Sequence, residues 1–184
     1  MLKSLIASLR VSVATMAICV VGYAGVVWTI GQTFTPFTAN GWLLTNEAGD
    51  VIGSRQVAQA FTTPGYFWPR PSAVDYNGAG AGGSNKSPTS TEVHDRGVEL
   101  VAAYGATPDN PLPADLAAAS GAGLDPHISE AGALYQVARV AEARGLAVPV
   151  LENLVRSHSA LPGGVFGTGR IVNVLDLNIA LDQL

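Results

Sequence analysis

Charge is what this 184-residue chain has least of: 10 Lys and Arg, 14 Asp and Glu, a net charge of −4 and a charged fraction of 13%. Such a balance leaves no basic footprint for nucleic acid, which excludes that class of partner. The single cysteine, Cys19, excludes an internal disulfide, so any folded part must rest on its own core. His94, His127 and His158 are scattered without metal-ligand spacing, and no metal ligand set is expected. The most local absence is also the most informative. From Val11 to Asn46 there is no charged residue at all.

Within that stretch, Val11 to Ile30 is dominated by Val, Ala, Ile, Met, Tyr and Trp. A helix rises about 1.5 Å per residue, so roughly twenty such residues cover the ~30 Å hydrocarbon core. Gly22 and Gly25 are tolerated there because the backbone has no water to turn to. Trp28 suits the headgroup level, and Pro36 is expected to stop the helix. Residues 1–35 therefore read as a membrane anchor with a short cytoplasmic end, and 36–184 as one domain outside the cytoplasm. The orientation follows from Lys3 and Arg10 before the span and no further Lys or Arg until Arg55. A cleaved signal peptide is the alternative, with a secreted or tethered ligand-binding protein or enzyme as its consequence. Its apolar region would be shorter and would end at small residues. Ala14, Ile18, Gly22, Gly25 and Thr29 recur at three- and four-residue steps, a stripe that would let a second membrane helix approach closely.

The outer ~145 residues suffice for one core. Gly41–Leu44 and Val51–Gly53 flank a turn-rich stretch and predict a hairpin. Pro64 to Pro71 holds three prolines and three aromatics, which excludes regular structure but implies packing. Asn77 to Ser90 reads as a loop. Helices are predicted over Glu92–Tyr104 with Gly105 as stop, from Ser129 as cap to Arg144 with Gly145 beyond, and from Pro149 through His158. Arg170–Leu175 predicts a strand and Asn178–Leu181 a last helical turn. The mixed order gives an α+β class.

Several apparent chemical motifs fail on context. Gly78 to Gly83 satisfies G-x-G-x-x-G, but no buried strand precedes it and Ser84-Asn85-Lys86-Ser87-Pro88 follows. Asn85 also occupies the glycine position of a phosphate-binding loop. Val21-Gly22-Tyr23 is a single copy inside a hydrophobic helix, where a potassium filter needs four converging loops. Asp125 and His127 are close in sequence, yet no nucleophile stands beside them. The expectation is that Asp125 bonds backbone amides around a turn. No catalytic residue is assigned.

The chain resembles the C subunit of the Kdp potassium-transporting ATPase over nearly its whole length. The stretches that carry the resemblance are Ala39-Asn40-Gly41, Val51-Ile52-Gly53-Ser54 and Pro64-Gly65-Tyr66-Phe67-Trp68-Pro69-Arg70-Pro71-Ser72-Ala73. Gly82-Gly83-Ser84-Asn85, Ser120-Gly121-Ala122-Gly123-Leu124-Asp125-Pro126-His127-Ile128-Ser129 and Asn173-Val174-Leu175-Asp176-Leu177-Asn178 continue it in order. Pro162 to Arg170 departs from it, being unusually glycine-rich. The resemblance implies a single-pass plasma-membrane protein in an ATP-driven potassium import complex, beside a channel-like subunit and a P-type ATPase subunit, in contact with lipid. It implies an accessory that raises the pump's affinity for ATP, itself neither pump nor filter; ATP enters only through the resemblance, and no cofactor is assigned. An external domain cannot meet cytoplasmic ATP, so the expected action is indirect. Trp68, Arg70, Asp125, His127 and Ser129 are the candidate docking residues, against the alternative that the aromatics fill the core. Were nucleotide bound directly, Arg70 and Lys86 would be the phosphate contacts.

Overall fold

The computed structural model describes residues 2–164 and 167–184 and divides into two compact units, Met1–Leu43 and Leu44–Leu184. The expectation for the glycine-rich approach at Val165 and Phe166 lies outside the described residues.

In the first unit the uncharged sequence forms one helix of 33 residues, Leu2–Phe34. It comprises α1 (Leu2–Met16), a π-helical segment (Ala17–Tyr23) and α2 (Ala24–Phe34). At about 1.5 Å per residue it spans ~50 Å, and it is long and apolar enough to cross a membrane. None of its side chains is buried, although Ile18, Val21 and Trp28 are large and apolar. Gly22 of the small-residue stripe falls in the π-helical segment, where the wider backbone spacing interrupts the regular 3.6-residue face. The helix ends at Phe34, and Pro36 opens a four-residue helix, α3 (Pro36–Ala39), as its fixed φ favours at a first helical position. The Asn40 amide then reaches back to Gln32 at 3.0 Å and to the Pro36 carbonyl at 2.7 Å.

The second unit is a mixed helix and sheet fold, as the α+β reading expects. Strands β1 (Leu43–Thr45) and β2 (Val51–Ser54) form the hairpin, closed by the Asn46 amide on the Asp50 backbone. A three-stranded antiparallel sheet has the order β3 (His127–Ser129), β5 (Ile171–Asn173), β4 (Ser159–Ala160). Ile128 lies opposite Val172, and both are almost fully buried.

Helices α6 (Glu130–Arg144) and α8 (Val174–Leu181) pack against this small sheet, and α7 (Val148–Ser157) packs on both of them. Their apolar stripes, Ala133, Val137, Val140, Leu151, Val155 and Leu177, close the core with Phe67 and Leu116. The ends are set chemically. Ser129 Oγ accepts from the Gly132 N–H at 2.8 Å, and Gly145 takes φ +66° to end α6. Ser90 and Gly105 bound α4 (Thr91–Tyr104) in the same way.

The structure differs from the sequence reading in several elements. The strand expected through Leu175 stops at Asn173, because the Asn173 side chain caps the Asp176 N–H and starts α8 at Val174. The last helix is thus a full element and not a terminal turn. The stretch after Pro108, Pro111 and Pro113, expected as a connector, opens an additional short helix, α5 (Ala114–Ala117), whose Leu116 is fully buried. Helix α4 buries none of its residues; Val98 and Val101 remain 57% and 46% exposed.

Candidate functional site

The site is built around the irregular strap from Phe61 to Tyr76. Its three prolines deny it sheet pairing, so its backbone must be satisfied by side chains. Two buried amides do so. Asn178 of α8 accepts from the Phe67 N–H at 2.9 Å and donates to the Phe67 carbonyl at 3.0 Å. Gln136 of α6 accepts from the Trp68 N–H at 2.7 Å and donates to the Trp68 carbonyl at 3.1 Å. Each amide thus replaces the pair of bonds that a neighbouring strand would supply.

With the strap extended, alternate side chains part. Phe67 is fully buried in the core, whereas Tyr66 and Trp68 meet arginines of α6. The Arg139 guanidinium lies 3.8 Å from the Trp68 ring centre, and Arg144 lies 4.5 Å from that of Tyr66. Arg139 also donates to the carbonyls of Pro64 and Tyr66 and to Gln136. No carboxylate pairs with it among the described residues, and burial pulls its pKa down from 12.5 to about 10. Trp68 continues into Tyr104 and Tyr135, edge to face at 5.1 and 6.3 Å. A cavity of about 250 Å³ opens beside this cluster, walled by Phe61, Trp68, Pro69, Pro71, Tyr76 and Tyr104.

Of the sequence candidates, Arg70, Asp125 and His127 are brought together. Arg70 Nη1 is 3.2 Å from Asp125 Oδ2, and Arg70 also donates to the Ala119 carbonyl. Asp125 Oδ1 accepts from the His127 N–H at 3.0 Å and faces His127 Nδ1 at 3.3 Å. The turn bond expected of Asp125 is therefore present. The His127 hydrogen bonds, and secondarily the Arg70 charge, hold the Asp125 carboxyl below the usual carboxylate range despite its partial burial. Ser129 is engaged otherwise, as the cap of α6, while its N–H donates to Asp115 at 2.7 Å. Trp68 is half-buried and donates through Nε1 to the Thr63 carbonyl. Lys86 pairs with Glu92 at 2.8 Å, which lowers the Glu92 pKa.

The glycine-rich loop has a structural use. Gly82 donates to the Ala122 carbonyl at 2.8 Å, and Ser72 Oγ donates to that of Gly123 at 2.7 Å. Gly123 sits at φ +69°, and a Cβ there would lie 2.6 Å from Val74 and 2.9 Å from the Gly82 carbonyl. Two loops thus approach backbone to backbone, which only glycine permits. Gln136, Arg139 and Asn178 are the site residues that periodicity misses. The signal was a polar side chain on each helix's apolar stripe, Gln136 between Ala133 and Val140, and Asn178 between Val174 and Leu181. Among the described residues no cluster of His, Cys, Asp and Glu has the form of a metal site.

Residues 5–183 match the model of the family described as KdpC, the c chain of K+-transporting ATPases. The chain is 63% identical to the potassium-transporting ATPase KdpC subunit of Parvibaculum lavamentivorans over 183 residues, covering 100% of this chain and 98% of the relative. It is 44% identical to the subunit of the same name in Shewanella putrefaciens over 180 residues, 96% of this chain and 89% of that one. With that of Methylococcus capsulatus it shares 46% identity over 169 residues, 88% of each chain. The long apolar helix, the amide-clamped aromatic strap and the matched family model lead to one assignment: this chain belongs to the KdpC family, the c subunits of potassium-transporting ATPases.

Proposed function

We propose that this subunit is a non-catalytic accessory whose N-terminal helix crosses the plasma membrane with its start in the cytoplasm. Its folded unit docks from outside on the channel-like partner, and it raises the pump subunit's affinity for ATP without touching the nucleotide. Membership of a potassium-transporting ATPase family takes the place of the secreted-protein alternative.

One observation carries the indirect reading. The cations that would hold phosphates are already committed: Arg70 to Asp125 at 3.2 Å and Lys86 to Glu92 at 2.8 Å. Freeing either costs an ion pair before a phosphate is gained. The one-sided charge at the helix flanks, Lys3 and Arg10 against none until Arg55, supports the external placement. An external domain influences a cytoplasmic site by binding one conformation of the complex better than another, so its effect equals that differential affinity. The strap, with Trp68 and Arg70 on a scaffold fixed by Gln136 and Asn178, is the natural docking element, since Trp and Arg are enriched where binding energy concentrates.

The test is the ATP dependence of potassium-stimulated hydrolysis by complexes purified with and without this subunit. A rise in the KM for ATP on its removal is the expected result. An unchanged KM refutes the accessory role, and photolabelling of this chain by an ATP analogue in the intact complex refutes the indirect one.

A further inference from the structure

The cavity beside Trp68 has properties that specify an occupant. At about 250 Å³ it is smaller than the ~300–1,000 Å³ that ordinary small-molecule ligands occupy, and so too small for a nucleotide. None of the residues lining it carries a formal charge, so a phosphate finds no ionic partner in its walls. Its walls are rings: Phe61, Trp68, Tyr76 and Tyr104, with Pro69 and Pro71. They are also fixed in advance. Gln136 clamps the Trp68 peptide group, Trp68 Nε1 donates to the Thr63 carbonyl, and the Tyr76 hydroxyl donates to the Arg70 carbonyl at 2.9 Å.

One aromatic polar group of the wall is left over. Tyr104 is held between Trp68 and Tyr135, and its hydroxyl makes no hydrogen bond within the described residues. Burial raises its pKa, so it stays a neutral O–H donor at physiological pH. The slot therefore offers stacking for one ring and a hydrogen bond for one acceptor. An extended, proline-bearing peptide supplies both. Its ring fits an aromatic-walled groove, and its carbonyls make no internal hydrogen bonds, so one is free to accept. Such a segment is also pre-extended, so little entropy is lost when it binds.

We propose that this slot, with Tyr104 as its hydrogen-bond donor, receives a proline residue from an extended external segment of another subunit of the same ATPase. The assignment rests on the docking reading above and specifies its chemistry. The experiment uses the purified complex with a photoreactive benzophenone residue in place of Thr62, an exposed residue of the cavity lining. On irradiation it is expected to cross-link to a proline-containing, non-helical segment of another subunit, located by mass spectrometry. In parallel, Tyr104→Phe removes only a hydroxyl that has no partner among the described residues, so its thermal stability should match wild type. Its dissociation from the complex should quicken roughly three- to tenfold, as for one lost hydrogen bond. Cross-links confined to this chain, to lipid or to a helix overturn the assignment while leaving docking intact, as does a Tyr104→Phe subunit that dissociates at the wild-type rate. Failure of the unaltered chain to co-purify with any pump subunit overturns the docking reading itself.

Discussion

Replacing Asn178 with alanine tests whether the strap is held by side-chain amides as the structure has it. The side chain is 2% exposed and bonds both the N–H and the carbonyl of Phe67, itself fully buried. Asn178→Ala leaves both peptide groups buried without partners, at about 1–3 kcal/mol each. The expected loss is therefore about 2–6 kcal/mol. For a folded unit of this size that corresponds to a fall in Tm of roughly 10 °C. Near-UV circular dichroism in detergent is the suitable assay, because the N-terminal helix persists there and would mask the change in the far-UV. Asn178→Asp sharpens the test. Its carboxylate still accepts from the Phe67 N–H but sets a lone pair against the Phe67 carbonyl. Burial and that carbonyl raise its folded pKa, so the folded state takes up the proton more readily than the unfolded one. The deficit against wild type should shrink as pH falls and the protonated acid regains a donor. A Tm within about 2 °C of wild type for Asn178→Ala, or a pH-independent deficit for Asn178→Asp, would refute the clamp.

Other expectations are equally specific. Gly123→Ala forces a Cβ to within 2.6 Å of Val74 at φ +69°, so it should cost about 2 kcal/mol or more and expose the Ser72–Gly83 segment to limited proteolysis. Ser129→Ala removes the acceptor that caps α6 and should cost about 1 kcal/mol in chemical denaturation. Asp125 has a lowered folded pKa, so the stability it adds is present above the unfolded value near 3.9 and is lost as pH falls through the folded one. Denaturation of wild type against Asp125→Asn should show an advantage that is constant well above the unfolded value near 3.9 and shrinks as pH falls below it.

The sequence displayed the parts of this fold that depend on local chemistry. Gly105 ends its helix, and Ser129 with Gly145 bracket theirs, because capping needs only residues within a turn of one another. The aromatic-proline strap was legible as irregular but packed, since proline excludes a ladder whatever surrounds it. Less legible was anything decided by tertiary partners. Ile171 to Leu175 reads as β-branched and apolar, yet Asn173 ends the strand by capping a helix that the core buries. Gln136, Arg139 and Asn178 read as polar interruptions of apolar stripes, because their partners are the backbone of Pro64–Trp68, far away in sequence. Likewise Gly82 and Gly83 of the glycine-rich pattern have their reason in the loop Gly121–Gly123, about forty residues on.

The claim on which indirect action depends is that the folded unit lies outside the cytoplasm. Lys86, half-exposed in a loop, offers the reporter position: a Lys86→Cys subunit in a Cys19→Ser background carries one thiol. Intact cells, or spheroplasts where an outer membrane intervenes, are treated with a thiol reagent that cannot cross the plasma membrane. The account predicts labelling before lysis, equal to that after it. Labelling only after lysis would place the domain on the cytoplasmic side and contradict the account.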